Sequence, residues 1–204
     1  MNMLCFILFI SVVMSKSLVV DLVKGVDGDP VFFMSLEFGK CYYLDDSESE
    51  IITHDGDKIT IDYYTESSSC SGKKETDTFY LNDKDFKEEI CDEDDCVAAI
   101  KKAPKHIGFE GIDDDENCSH RDETIRIYYT DQCYKSDGKY WNYEVEDGWM
   151  YSNSYPNDKC NTKERIEHNK EWECDICHDD TMQQCGTIST MITFVVISIF
   201  ALIL

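Results

Sequence analysis

The residues whose spacing most resembles a reactive motif lie near the end of the chain, in Cys174-Asp175-Ile176-Cys177-His178. The segment fits the haem-attachment pattern C-x-x-C-H and, without its histidine, the pattern of a redox dithiol. A chain with eleven cysteines produces such spacings by accident, so structural disulfides are the favoured interpretation. Zinc bound by thiolates is disfavoured, because an oxidising compartment removes the thiols that this ion requires.

Carboxylates are the other abundant chemical group, with 42 Asp and Glu against 19 Lys and Arg and a net charge of −23. Such a field repels phosphate backbones, which excludes nucleic-acid binding through a basic patch and makes anionic membrane surfaces poor partners. The acidic clusters at residues 92–95 and 113–116 are typical of solvated loops or of a weak Ca²⁺ site. The second cluster lacks the glycine and glutamate of an EF-hand loop, since Cys118 and Thr124 occupy those places. No cofactor is predicted beyond weak calcium binding.

Motifs of nucleophilic catalysis are missing from the sequence. It contains no G-x-S-x-G, no H-E-x-x-H and no glycine-rich phosphate loop, and its five histidines are scattered. Carboxylate pairs that could serve a glycosidase are too numerous to single one out. The sequence therefore predicts a non-catalytic protein, with a secreted carboxylate-based hydrolase and a purely structural surface protein as alternatives.

An aromatic hairpin is the strongest candidate for ligand contact. Residues 140–145 and 149–151 flank Asp147-Gly148, a dipeptide typical of tight turns between strands. A three-residue loop ending in a left-handed glycine would pair Val145 with Trp149 and would gather the large side chains on one face. That face could stack on sugar rings or serve as the core of a small domain. The candidate ligand-binding residues are Trp141, Tyr143, Trp149 and Tyr151.

A repeat organises the chain around these residues. Cys41-Tyr42 precedes Asp55-Gly56 at the spacing with which Cys133-Tyr134 precedes Asp147-Gly148. A further cysteine closes each unit, and a Cys-Asp pair and one more cysteine follow; these are Cys70, Cys91 and Cys96 in the first unit and Cys160, Cys174 and Cys177 in the second. Features recurring in the same order indicate a duplication.

Strands are the elements that must position the repeated cysteines, because β-branched and aromatic runs flank each Asp-Gly turn. With Asp55-Gly56 as a two-residue loop, Cys41 and Cys70 lie opposite each other, which predicts a Cys41–Cys70 bridge. The repeat then predicts Cys133–Cys160, and the remaining connectivity stays open. The predicted fold is all-β and disulfide-rich, with two related hairpin-based modules at residues 18–105 and 106–186, arranged as a sandwich or a meander.

The two ends of the chain predict its compartment. Residues 4–14 are uncharged and precede Ser15-Lys16-Ser17, a pattern typical of a signal peptide over residues 1–17. Residues 188–204 carry no charge and favour a GPI-attachment signal over residues 187–204, joined at Gly186. A transmembrane anchor and a buried helix are the alternatives.

Removal of the signal peptide would take Cys5 with it and leave ten cysteines, an even set that suits a disulfide framework. Asn117-Cys118-Ser119 is a glycosylation sequon. Together these features predict a cell-surface or extracellular glycoprotein, delivered by the secretory pathway and contacting an extracellular ligand, glycan or protein.

Overall fold

The computed structural model describes residues 16–90, 96–112, 118–120, 123–178 and 181–186. These residues form fifteen β-strands, one short α-helix and a 3₁₀ turn at Thr162–Glu164. In chain order the elements are β1 Ser17–Lys24, β2 Pro30–Glu37, β3 Cys41–Tyr43, β4 Ser49–Asp55, β5 Lys58–Tyr64, β6 Glu75–Tyr80, α1 Lys84–Ile90, β7 Val97–Lys101, β8 Gly108–Ile112, β9 Arg126–Tyr129, β10 Tyr134–Ser136, β11 Lys139–Glu146, β12 Trp149–Tyr155, β13 Glu167–Glu173, β14 Ile176–His178 and β15 Thr181–Cys185.

The strands form three antiparallel sheets, which confirms the predicted all-β, disulfide-rich fold. The largest has seven strands in the order β14-β15-β8-β9-β2-β1-β7. At its centre β2 pairs with β9, with Phe32 opposite Tyr129 and Met34 opposite Ile127. This sheet combines strands from both sides of residue 105, and the division into modules at that residue stays a prediction.

The other two sheets are four-stranded meanders, β3-β4-β5-β6 and β10-β11-β12-β13, here called the first and second meander. Each meander follows one of two neighbouring inner strands of the large sheet, β2 or β9. The chain then returns to that sheet, with β7 after the first meander and with β14 and β15 after the second. The two halves of the chain thus contribute corresponding elements in the same order. The duplication that would explain this order stays a prediction.

Both meanders cover the same face of the seven-stranded sheet. Leu36 of β2 packs in one buried cluster with Ile52 of the first meander and Phe86 of α1. Phe32, on the same side of β2 because it lies four residues away, meets Tyr143 of the second meander at 5.4 Å between ring centroids. One part of the core therefore lies between the large sheet and the two meanders, and a second buried cluster, with Phe109, Cys118 and Met182, lies on the opposite face of that sheet.

The two predicted disulfides, Cys41–Cys70 and Cys133–Cys160, are confirmed. Their geometry differs from the prediction, because Cys41 does not face Cys70 across one long hairpin. It lies on β3 opposite Ile51, and the chain reverses before β4. Each bridge joins the start of a meander to the segment that follows the meander's third strand, and so ties the first three strands together.

The other described cysteines are also bonded. Cys118 bonds to Cys177 and Cys174 bonds to Cys185, so the two cysteines of the C-x-x-C segment have separate partners. Cys96 is disulfide-bonded as well, whereas Cys91 lies outside the described residues. The structural interpretation of the C-x-x-C-H segment is therefore confirmed.

The predicted register of the aromatic hairpin was wrong. Glu146 pairs with Trp149, so the loop has two residues, Asp147 at φ 48° and Gly148 at φ 77°. Left-handed conformations at both positions are those of a type I′ turn, which Asp-Gly accommodates. In the first meander the loop is likewise shifted by one residue from the prediction, to Gly56-Asp57, because Gly56 takes the positive φ itself. Directly opposed side chains share a face, so Trp141 and Tyr143 lie on one face of the second meander and Trp149 and Tyr151 on the other.

Several predictions fall on residues that the structure does not describe. These are residues 1–15 of the signal peptide, the tail at residues 187–204, both acidic clusters and the sequon at Asn117. Gly186 is described and exposed, and its lipidation stays a prediction. Within the described ranges, the length and hydropathy needed to cross a bilayer are found in no helix.

Candidate ligand groove and polar sheet face

A groove of about 620 Å³ opens between the second meander and the outer strands of the large sheet. One wall comes from the end of the meander, and the other from β8, β14 and β15. Its lining consists of two tryptophans, three glutamates and a mixed group of polar and apolar side chains: Trp149, Trp172, Glu110, Glu171, Glu173, Ile176, His178, Thr181 and Gln183.

The two tryptophans form the aromatic part of the groove. Trp172 lies on β13 opposite Met150, and its ring centroid is 5.0 Å from that of Tyr129 on the large sheet. Trp149 begins β12, opposite Glu173. The Lys170 ammonium lies 4.2 Å from the centroid of the Trp149 ring. Packing on the sheet and a cation over the ring hold both indoles in place, which lowers the entropic cost of ligand contact.

Two shielded polar atoms in this lining have no hydrogen-bond partner within the described part of the chain. They are the indole Nε1 of Trp172, a donor, and the amide Oε1 of Gln183, an acceptor. Leaving such an atom without a partner costs about 1–3 kcal/mol. A ligand hydroxyl can both donate and accept, but both atoms are shielded from solvent, so a hydroxyl-bearing ligand in the groove would reach them only after a neighbouring side chain moves aside.

Two of the groove's carboxylates are held by protein hydroxyls. The Tyr129 hydroxyl donates to Glu110, and the Ser152 hydroxyl donates to Glu171. Burial, together with the hydrogen bond to Glu110, raises the pKa of Tyr129 well above its ordinary value, so this tyrosine stays a donor. The carboxylates are thus fixed as acceptors along the groove.

The four aromatic residues predicted to bind a ligand do not come together. Tyr143 packs between the meander and the large sheet, and Trp141 donates its Nε1 hydrogen to the Ser136 carbonyl at 3.3 Å. Tyr151 stacks on His168 at 4.0 Å between centroids. Trp149 alone of the four lines the groove, and the ligand-binding role of all four stays a prediction. Trp172 was missed, although its place in the alternating sequence Glu171-Trp172-Glu173 signals a strand with one apolar side.

A second polar constellation lies on the outer face of the second meander, around His168. Its Nδ1 is 2.7 Å from Oδ1 of Asn153 and 3.8 Å from Oε1 of Glu144. Its Nε2 is 3.7 Å from Oε2 of Glu146. Arg165 donates from Nη1 to Glu144 at 2.5 Å and to Asn153 at 3.2 Å. Two carboxylates and one imidazole, each with an atom within 4.8 Å of the others, form a set that could hold a metal ion.

A smaller cavity of about 270 Å³ lies on the other side of Glu110. It is lined mostly by aliphatic side chains, among them Met34, Ile125 and Ile127. It lacks the tryptophans and the two unpartnered polar atoms of the groove. The groove beside Trp172 is therefore the better candidate for recognition.

No protein-family model, no curated protein and no solved structure matches this chain.

Proposed function

We propose that the protein is a non-catalytic, extracellular binding protein of the cell surface, and that the groove beside Trp149 and Trp172 contacts a glycan. One observation carries the proposal: two tryptophans line an open groove, and two of the lining residues, Trp172 and Gln183, each hold a shielded polar atom without a partner in the described part of the chain. Adhesion and coat formation are both compatible with such contact.

Sugars match the groove in two ways. The apolar face of a sugar ring stacks on an indole, for which Trp149 and Trp172 are available. The ring's hydroxyls donate and accept, so once a neighbouring side chain moves aside, one can accept from Nε1 of Trp172 and another can donate to Oε1 of Gln183. This combination of apolar walls and a few placed polar groups is typical of small-ligand sites.

The charge of the groove narrows the class of glycan. Glu110, Glu171 and Glu173 line it, and the whole chain carries a net charge of −23. Carboxylate or sulfate groups on a sugar would be repelled at this site. The proposal is therefore contact with a neutral glycan or an amino sugar, since each carboxylate can accept from a hydroxyl or an ammonium group.

The proposed compartment rests on the cysteines. Four disulfides join described residues, and such density is typical of proteins that fold in oxidising compartments. Attachment through a GPI anchor at Gly186 is part of the proposal, with a transmembrane anchor as its alternative. Release from cells by a phosphatidylinositol-specific phospholipase supports the GPI anchor, and retention contradicts it.

The test of binding is a glycan array probed with the full chain. Wild type is expected to bind neutral or amino glycans, and Trp149→Ala and Gln183→Ala to weaken binding about tenfold, the value of one lost stacking or polar contact. Trp141→Ala is the matched control, because this tryptophan lies outside the groove. Absence of binding by wild type, or equal loss in the Trp141 variant, contradicts the proposal.

A carboxylate-based hydrolase is the second candidate, since Glu110 and Glu171 line the same groove. Incubation with the bound oligosaccharides and analysis of the products separates the two functions. Intact oligosaccharides support binding alone. Cleavage that Glu171→Gln abolishes would replace the binding proposal with hydrolysis.

A further inference from the structure

We propose that Glu144, Glu146 and His168 form a site for a divalent transition-metal ion of the zinc type on the outer face of the second meander. The three residues lie on the face opposite Trp172, but Glu146 pairs directly with Trp149, which lines the groove, so the metal site and the groove are neighbours. It places a nitrogen and two carboxylates around one position, a donor set that imidazole-preferring ions accept.

The strands bring the three side chains together. Glu144 and Glu146 are two residues apart on β11 and therefore point to the same side. His168 on β13 reaches across the intervening β12, where it pairs with Asn153. A tetrahedral ion with bonds of about 2.1 Å needs ligand atoms about 3.4 Å apart. The 3.7 Å between Nε2 of His168 and Oε2 of Glu146 is close to that spacing.

The imidazole is oriented for metal binding by a buried amide. Arg165, which can only donate, contacts Oδ1 of Asn153, so this atom is the amide oxygen and accepts hydrogen bonds. The neutral His168 ring must then carry its hydrogen on Nδ1, which lies 2.7 Å from the same oxygen. The lone pair is left on Nε2, on the side of Glu146. A carbonyl that fixes the other ring nitrogen is typical of histidines that bind metals.

Further contacts hold His168 and Glu144 in place. The Tyr151 ring stacks on the His168 ring at 4.0 Å with an interplanar angle of 3°. Asn153 is fully buried and donates from Nδ2 to Asn142 at 3.2 Å. Arg165 binds one oxygen of Glu144 and leaves the carboxylate its second oxygen. The ligand positions are therefore largely set before an ion arrives, which reduces the cost of binding.

The first meander provides an internal comparison, because its register corresponds. Counted from the turn, Thr53 and Asp55 correspond to Glu144 and Glu146. Thr76 corresponds to His168, since it pairs with Asp62 on the third strand as His168 pairs with Asn153. They offer one carboxylate and no imidazole. Asp55 is thus the matched control for Glu146.

The nitrogen ligand also sets the class of ion. Ca²⁺ and Mg²⁺ take six or more oxygen ligands, whereas zinc-type ions bind imidazole and need only four ligands. Here water would complete the shell on the exposed side, since the Glu146 side chain is 57% exposed. The site accordingly favours Zn²⁺ over Ca²⁺.

The test is calorimetric titration of the metal-stripped full chain, without a polyhistidine tag, with ZnCl₂ and separately with CaCl₂. Wild type is expected to bind one Zn²⁺ saturably and to show no comparable Ca²⁺ binding. Glu146→Gln and His168→Gln should each weaken Zn²⁺ binding by at least about tenfold, whereas Asp55→Asn should leave it unchanged.

A melting curve provides a second readout that does not depend on heats of binding. Zn²⁺ should raise the Tm of wild type and of Asp55→Asn, because an ion that binds only the folded state stabilises it, and should not raise that of Glu146→Gln. Glu146 is near the exposed end of the hairpin, so this variant is expected to fold. The proposal is overturned if wild type fails to bind Zn²⁺, or if Glu146→Gln and His168→Gln bind Zn²⁺ as tightly as wild type does.

Discussion

The two meanders have the same strand order and equivalent disulfides, but they differ in what covers their last strand. In the first meander, Phe79 lies opposite Ile59, and its ring centroid is 5.8 Å from that of Phe86 on α1. In the second, Trp172 holds the corresponding place, opposite Met150, and lines the open groove. A helix follows one meander and the short strand β14 follows the other. The difference shows how a scaffold present in two versions can bury a surface in one and expose it in the other.

The outer faces of the meanders differ as well. In the first, Asp62 accepts hydrogen bonds from Lys74 at 2.5 Å and from Thr76 at 2.6 Å, an ion pair on an exposed surface. In the second, the corresponding Asn153 orients His168 beside two glutamates. The second meander thus carries a candidate ligand set where the first carries an ion pair.

Replacement of Phe86, which covers the last strand of the first meander, should have the largest effect on stability. Phe86 is fully buried among Leu18, Leu36 and Ile59, so Phe86→Ala should lower the free energy of unfolding by about 4 kcal/mol through lost burial and a cavity. Urea denaturation followed by circular dichroism measures this change.

Trp172→Ala is the counterpart in the second half. The Trp172 side chain is only half-buried, so this substitution should lower the free energy of unfolding clearly less than Phe86→Ala does. It should also abolish glycan binding. Equal destabilisation by the two substitutions would mean that the groove belongs to the core, and the comparison would fail.

Removal of the disulfides should affect the two meanders equally. The bridges span 29 residues in the first and 27 in the second, and loops of this size correspond to about 3.6 kcal/mol each by the chain-entropy relation. Chains with Ser at both Cys41 and Cys70, or at both Cys133 and Cys160, should therefore show similar losses in urea denaturation. A difference of more than about 1 kcal/mol would show that one meander depends more on packing.

The smallest expected effect on stability comes from the titration of one carboxyl group in each meander. The hydrogen bonds from Lys74 and then Thr76 lower the pKa of Asp62, and those from Lys139 and then Ser154 lower the pKa of Glu167. Because the pKa of each carboxyl is lower in the folded than in the unfolded protein, each stabilises the folded state above about pH 4. This stabilisation is lost as pH falls through the folded pKa.

Carbon-detected NMR titration tests this effect. Lys74→Met should raise the pKa of Asp62 alone, and Lys139→Met that of Glu167 alone. The stability changes should be small, because both pairs are exposed to solvent. A shift in the carboxyl of the other meander would contradict the independence of the two sheets.

Sequence reasoning predicted the strand content and two of the disulfides, but it did not predict the hairpin register. Aromatic residues were expected on one face, whereas Asp147 adopts a left-handed conformation and shortens the loop by one residue. A shift of one residue moves every side chain to the opposite face, which separated Trp141 from Trp149. Neither Trp172 nor His168 could be assigned to a site, because their partners lie on strands distant in sequence.

By itself, the sequence determined the properties that depend on local pattern and composition. These are the acidic field, the antiparallel strands around the turns at Gly56 and Gly148, and the Cys41–Cys70 and Cys133–Cys160 bridges, because residue type and short spacings govern them. The tertiary structure alone decided which face of each strand is covered. Burial depends on contacts between distant segments, such as Phe86 in one cluster with Leu18 and Leu36, or Trp172 against Tyr129, and these contacts separate a filled core from an open groove.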